Sequence, residues 1–141
     1  MNLAIWDIES SSASTDFGSI IEIGGVLVDE NFKEKDRFNL RCRLPEGEIF
    51  QAMALIVNKT SIKKLTQANL SHYQMLAEVE KIFKKWSPAI FLGWSNIGFD
   101  DEMIRKEFFK GIRYPYLTNA APNKRNDGIN IDRAAYAVDP N

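Results

Sequence analysis

Short apolar runs in the first half of the chain predict the strands of a sheet. Residues 3–9 form one buried run, and residues 19–28 form a second that contains two adjacent glycines. Residues 38–44 alternate apolar and polar side chains, which is typical of a strand with one solvent-facing side. Because the connections are short, we expect these three strands to form an antiparallel meander. A compact apolar run at residues 89–93 predicts a fourth strand.

Helical spacing of apolar residues predicts the elements that cover this sheet. It is clearest over residues 71–86, which begin with a serine suited to capping a helix and are followed by a proline. Shorter helices are predicted at residues 61–66, 100–110 and 129–138. Loops are predicted at residues 10–18, 45–51 and 114–128. This order of elements predicts an α/β fold with a mixed sheet.

Composition limits the range of functions. The 141 residues, 45% hydrophobic and 26% charged, suffice for one domain spanning residues 1–141. A net charge of −1 argues against a binder driven by overall basic charge, and local basic patches stay open. The only cysteine, Cys42, is expected to be a structural residue of a strand. Without a leader pattern or an apolar run of about 18 residues, we expect no membrane span and a cytoplasmic location.

Two carboxylates interrupt the first apolar run. Alternate residues of a strand face the same side, so Asp7 and Glu9 should lie roughly 6.6 Å apart on one face. Two acids beside a buried strand are costly unless a positive group neutralises them, and a divalent cation is the usual solution. The alternative interpretation is an exposed acid pair at a strand end, which the apolar neighbours Trp6 and Ile8 disfavour.

A second set of polar residues connects the fourth strand to the helix after it. This segment is Gly-Trp-Ser-Asn-Ile-Gly-Phe-Asp-Asp-Glu, residues 93–102. Read residue by residue, Asp100 is a helix cap, Asn96 is a turn residue and Phe99 is a core residue. These separate structural roles do not explain why an acid pair, Asp7 and Glu9, occurs at the end of another strand.

Together these segments resemble the DEDD 3′–5′ exonucleases, which have a ribonuclease-H-like three-layer fold. The first strand with Asp7 and Glu9 is similar to the first exonuclease motif, and Asn96-x-x-Phe99-Asp100 is similar to the second. The sequence of residues 93–102 is similar to the corresponding segment of the exonuclease domain of bacterial exonuclease I. The Tyr-Pro-Tyr at residues 114–116 and the Arg-Ala-Ala-Tyr-Ala at residues 133–137 are also similar to that subgroup.

The resemblance implies a two-metal nuclease site. Asp7, Glu9 and Asp100 would be the catalytic residues and would hold two divalent cations, Mg²⁺ or Mn²⁺, which hard oxygen ligands suit. It also implies a substrate-binding set made up of Ser10, Ser11, Ile56, Asn96 and Phe99. Ile56, Val57 and Thr60 would form one wall for the terminal base.

One family motif is absent from the 141 residues. No histidine is followed five residues later by an aspartate, and Tyr136 and Asp139 have the wrong spacing for the tyrosine version. The only histidine, His72, lies before the second motif and is expected to be solvated or to cap a helix. A general base contributes about 10²–10⁴ in rate, so we expect at most feeble activity. A truncated reading frame and a binding module are the two explanations.

The absent motif also affects the predicted fold. The family would still need a further helical segment after the final helix, so we expect a C-terminally incomplete domain. The final helix would then expose apolar residues able to pair two copies into a homodimer.

Two local basic clusters have two interpretations, a solvated helix face or a rim that contacts phosphates. One is Lys59, Lys63 and Lys64; the other is Arg105, Lys106, Lys110 and Arg113. Trp94 and Phe17 are aromatic residues on which bases could stack.

The leading hypothesis is therefore a catalytically incomplete 3′–5′ exonuclease domain that acts on the 3′ end of single-stranded DNA or RNA. The alternatives are a non-catalytic nucleic-acid- or metal-binding module on the same fold, and a self-associating fragment without a ligand.

Overall fold

A five-stranded mixed sheet organises the protein, with strand order β3-β2-β1-β4-β5. The computed structural model describes residues 1–59 and 61–139. The strands are β1 (Asn2–Ser10), β2 (Ile20–Val28), β3 (Glu34–Arg41), β4 (Ala89–Gly93) and β5 (Lys124–Asp127). The helices are α1 (Ala52–Val57), α2 (Ile62–Thr66), α3 (His72–Trp86), α4 (Asp100–Lys110) and α5 (Gly128–Val138).

Strand directions confirm the predicted α/β class with a mixed sheet. β1 runs antiparallel to β2, and β2 runs antiparallel to β3. β4 and β5 then continue parallel to β1. In this register Asp7 lies opposite Gly24 and Glu9 lies opposite Glu22, and an irregularity follows Glu9. Carboxyl ends of parallel strands meet at one edge of a sheet, so the ends of β1, β4 and β5 lie side by side.

The core lies on one face of the sheet. Trp6 on β1, Phe91 on β4 and Phe83 on α3 are buried together, and the Phe83 ring centroid lies 5.6 Å from that of Trp6 and 4.9 Å from that of Phe91. Met103 on α4 joins the same cluster. The period-2 alternation of β1 turns Asp7 to the opposite, exposed face.

Serine caps explain where two of the predicted helices, α2 and α3, begin. Ser71 and Gln74 form a reciprocal capping box at α3, and the Ser61 side chain accepts the Lys64 N–H at α2. Two elements differ from the sequence prediction: α1 lies between the predicted loop 45–51 and the predicted helix 61–66, where no element was predicted, and β5 lies within the predicted loop 114–128. β5 is the polar edge strand Lys-Arg-Asn-Asp, and none of the six residues of α1 is buried, so neither carries an apolar periodicity.

The structure also revises the predicted bounds of β3 and tests the predicted role of Cys42. β3 begins at Glu34 rather than residue 38 and ends at Arg41. Cys42 is fully buried, and burial raises the pKa of its thiol to about 12, which agrees with a structural role.

No helix in the described part of the chain is long and apolar enough to cross a membrane. None of the residues of α5 is buried, and the homodimer stays a prediction.

Candidate active site at the carboxyl ends of β1, β4 and β5

The two acids of β1 lie on the same exposed face, as their spacing predicts. Asp7 is exposed and Glu9 is half-buried. Burial raises the pKa of Glu9, the nearby charges of Asp7 and Glu22 raise it further, and Arg41 partly opposes them. Arg41 itself forms an ion pair with Glu22. The end of β1 is therefore an acidic surface on which a negative charge is disfavoured.

Asp100 brings a third carboxylate to this edge. Its neighbour Phe99 occupies the N-cap of α4, so the interpretation of Asp100 as the cap is wrong, and Asp100 is the first residue inside the helix. The residue is 6% exposed. Burial raises the pKa of Asp100 to about 7, helped by the charge of Asp7 and a hydrogen bond with it, then by Asp127 and Glu9. Asp7 and Asp100 thus share a site where two full negative charges are unfavourable.

Asp127 is a fourth acid at this edge that the sequence interpretation missed. It is buried at the end of β5, where its carboxylate oxygens accept the backbone N–H groups of Ser95 at 2.8 Å, Ile97 at 3.3 Å and Ile129 at 3.1 Å. Burial raises the pKa of Asp127, but these N–H groups and that of Asn96 outweigh it and lower the pKa. An Asp followed by Gly before an apolar helix was the available signal for this cap.

The loop between β4 and α4 is fixed from within as well. Asn96 is 2% exposed, and its backbone carbonyl accepts the N–H groups of Asp101 at 2.9 Å and Phe99 at 3.2 Å. The Asn96 side chain packs so closely on Gly93 that a Cβ there would lie 2.7 Å from it. The Asn96 side-chain oxygen is buried without a hydrogen-bond partner in the described residues. An acceptor of this kind is available to a ligand at the loop.

The carboxylate oxygens at this edge are chemically suited to bind a hard divalent cation. Asp7, Glu9 and Asp100 offer carboxylate oxygens, the ligand type that Mg²⁺ and Mn²⁺ prefer. Burial, and after it the charges of neighbouring acids, raises the pKa values of Glu9 and Asp100, and a bound cation would favour their ionised forms. Within residues 1–59 and 61–139, no group of three or more His, Cys, Asp or Glu side chains converges into a ready-made metal site.

A cavity of about 250 Å³ opens beside these acids. Glu9 and Ser10 form one side of it, and Met53 and Val57 of α1 form an apolar wall with Phe99. Ile56 is 68% exposed and does not line this cavity, and the predicted wall residue Thr60 lies outside the described residues. The cavity therefore combines apolar walls with a carboxylate at its edge.

Serine hydroxyls after β1 fix the loop rather than point into the cavity. Ser11 is fully buried, and its hydroxyl donates to Glu48 at 2.5 Å and accepts the Ser19 N–H at 2.9 Å. The Ser10 hydroxyl donates to the Ser12 carbonyl at 2.7 Å. The Ser10 carbonyl accepts the side-chain amide of Asn58 at 2.9 Å, which ties the end of α1 to the end of β1.

His72 lies away from the carboxylates. It is neither solvated nor the cap of α3, because Ser71 holds that position and the His72 Nε2 lies 2.8 Å from the Glu107 Oε2. Glu107 is seven residues along α4 from Asp100, which is roughly 10 Å of helix. This histidine therefore does not face the acids at the edge of the sheet.

Comparison with known proteins agrees with this geometry. No protein-family model matches the chain. Exodeoxyribonuclease I of Buchnera aphidicola is 22% identical over 142 residues, covering 99% of this chain and 29% of that protein. Exodeoxyribonuclease I of Haemophilus influenzae is 24% identical over 138 residues, covering 96% of this chain and 29% of that protein.

Crystal structures of E. coli exonuclease I superpose on nearly the whole chain. The complex with a dA16 oligonucleotide matches with a TM-score of 0.90 and 20% identity over 99% of this chain and 30% of that chain. The metal-free form of the same enzyme with single-stranded DNA matches equally well. The chain has the fold of the exonuclease I nuclease domain. This match confirms the predicted resemblance and the ribonuclease-H-like fold. The chain spans about 30% of the length of these relatives.

Proposed function

We propose that this chain is a 3′–5′ exonuclease domain, residues 1–141, that hydrolyses single-stranded nucleic acid from its 3′ end. One observation carries the proposal: the buried carboxylate of Asp100 packs against Asp7 at the carboxyl end of β1, with a pKa of about 7. A structural acid is normally paired with a cation or a donor, whereas this one faces other acids. Such a cluster is stable as a set of anions only when a cation binds it.

Asp7, Glu9 and Asp100 are the proposed ligands of two divalent cations, Mg²⁺ or Mn²⁺. When bound, such cations clamp the scissile phosphate, activate the attacking water and stabilise the leaving 3′ oxygen. The residues of this chain hold the oxygen ligands in place: β1 fixes Asp7 and Glu9 on one face, and Asp127 fixes the loop that leads to Asp100.

The cavity beside Glu9 is the proposed site of the terminal nucleotide. Its apolar wall is formed by Met53, Val57 and Phe99, which can contact a base but cannot form side-chain hydrogen bonds with it. Binding in this cavity is therefore expected to accept any of the bases. Ser10 lines this cavity, and the Ser11 hydroxyl fixes the loop that follows β1 by donating to Glu48. E. coli exonuclease I in complex with dA16 and dT13 oligonucleotides supports single-stranded DNA as the substrate.

The domain is proposed to have feeble activity in this form. The sequence has one histidine, and it contacts Glu107 instead of the acid cluster. Without a positioned base, the rate should fall by about 10²–10⁴. This observation also favours the second candidate function, a non-catalytic module that binds metal and single strands on the same fold. A cytoplasmic location stays a prediction for either candidate.

The decisive experiment is the incubation of a 5′-labelled oligonucleotide with the protein and Mn²⁺, beside Asp7→Ala. Shortening of the strand from its 3′ end that Asp7→Ala lacks supports the exonuclease. Metal-dependent retention of an intact strand supports the binding module. If neither trimming nor retention occurs, both functions are excluded.

A further inference from the structure

The two predicted basic clusters differ in whether their cations have acidic partners. Arg105, Lys106, Lys110 and Arg113 of the second predicted cluster all pair with carboxylates. By contrast, Lys59, Lys63 and Lys64 form no ion pair within the described residues, and all three are exposed. The cations of the second cluster are therefore neutralised by neighbouring carboxylates, which fits a solvated helix face. The first cluster keeps its positive charge, which fits a rim that contacts phosphates.

The surroundings of these lysines reinforce their charge. No Asp or Glu occurs between Ile49 and Ala77, in a protein whose net charge is −1. The same segment exposes large apolar side chains, Met53 at 67%, Val57 at 70% and Ile62 at 63%. We name the surface formed by α1, α2 and Lys59 the lysine edge. It combines unpaired cations with apolar groups, which is the combination that binds the phosphates and bases of a single strand.

The lysine edge adjoins the candidate active site. α1 supplies the apolar wall of the 250 Å³ cavity, and Asn58 at its end donates to the Ser10 carbonyl, one residue after Glu9. Lys63 follows Asn58 by five residues, so its Cα lies at most about 18 Å from that contact. A strand whose 3′ nucleotide occupies the cavity would therefore extend over cations within a few nucleotides.

We propose that the lysine edge is the entry surface for single-stranded nucleic acid and that Lys63 and Lys64 contact backbone phosphates upstream of the 3′ nucleotide. This inference rests on the proposed function and adds the path of the strand to it. The charge of the edge also offsets the repulsion between the strand and the acids at the end of β1.

Salt-dependent binding tests this inference without relying on activity. The probe is fluorescent (dT)12 in EDTA, and the variants are K63Q/K64Q and the matched control K33Q/K124Q. Lys33 and Lys124 are also exposed and unpaired within the described residues, but they lie at the opposite end of the sheet, near the beginnings of β3 and β5. Each lost phosphate contact on a single strand reduces the slope of log K against log salt by about 0.7.

The expected result is a slope smaller by about 1.4 for K63Q/K64Q and unchanged for K33Q/K124Q. Between 50 and 200 mM salt, the affinity of the wild type should then fall about sevenfold more than that of K63Q/K64Q. Equal slopes for the two variants would overturn the lysine edge while leaving the exonuclease proposal intact. If the wild type neither binds (dT)12 nor trims it, both proposals fail together.

Discussion

Replacing Asp100 by asparagine should stabilise the metal-free protein at alkaline pH. Asp100 is 6% exposed, and Asp7 and Glu9 of β1 and Asp127 of β5 are the charged groups that raise its pKa. Asparagine is neutral at every pH, and its amide can donate to the Asp7 carboxylate as the protonated acid does. Substitutions in most buried polar sites destabilise, so a gain would be specific to a carboxylate that is strained by its neighbours.

The magnitude follows from the pKa difference. The pKa rises from 3.8 to about 7 on folding, and each unit corresponds to 1.36 kcal/mol, so the ionised Asp100 costs about 4 kcal/mol. Because the folded pKa is raised, the protonated group contributes its full stability below pH 4 and loses it as the pH rises through 7. D100N should therefore be about 4 kcal/mol more stable than the wild type at pH 8, and the gain should shrink by about 3 kcal/mol at pH 5.

Chemical denaturation of wild type and D100N at pH 5 and pH 8, with EDTA, measures this difference. Comparing variant with wild type at each pH cancels the other titrating groups, such as Glu80 and Glu102, whose pKa values are lowered and act in the opposite direction. Asp132→Asn, on the exposed surface of α5, is the matched control and should leave stability unchanged. Thermal midpoints should differ by roughly 10 °C at pH 8.

Under the proposed metal binding, adding Mn²⁺ should reverse the order, because a bound cation would stabilise the folded wild type and D100N would lack one of the proposed charged ligands. The reasoning is refuted if D100N is less stable than the wild type in EDTA at pH 8. It is also refuted if the difference between them does not change with pH.

Three further perturbations test the core, the loop and the surface. Phe83→Ala removes the buried ring between Trp6 and Phe91 and should cost 3–5 kcal/mol by denaturant titration; a cost under about 1 kcal/mol would contradict the packing. Asp127→Ala leaves several backbone N–H groups unpaired and should cost about 3 kcal/mol by the same assay, and full stability would contradict the cap. The exposed apolar face of α5 should give a dimer in sedimentation at high concentration, and a sharply monomeric species would exclude it.

Sequence patterns were sufficient where burial or capping was strong. The strand of Asp7 and Glu9, the helix capped by Ser71 and the helix that begins at Asp100 were all predicted with nearly the observed bounds. For the helix capped by Ser71, apolar periodicity and a terminal signal agree, and such agreement makes a prediction from local sequence reliable.

Patterns failed where an element is held by partners distant in sequence. α1 has no buried residue and is held by Asn58 and Gln51 against the residues that follow β1. β5 is a polar strand, and Arg125 reaches back to the buried Asp101 at the start of α4. Such contacts join residues tens of positions apart, so no local window of the sequence contains them. The role of His72 was mispredicted for the same reason, since Glu107 lies on another helix.

The polar edge strand β5 explains how a fourth acid, Asp127, joins Asp7, Glu9 and Asp100 without a cationic side-chain partner in the described residues. β5 pairs Asp127 with Gly93, and Asp127 then accepts the N–H groups of the loop that follows Gly93. Because the backbone satisfies Asp127, this acid can be buried and ionised, and its charge in turn raises the pKa of Asp100. Asp127 therefore both positions Asp100 and makes its ionisation unfavourable.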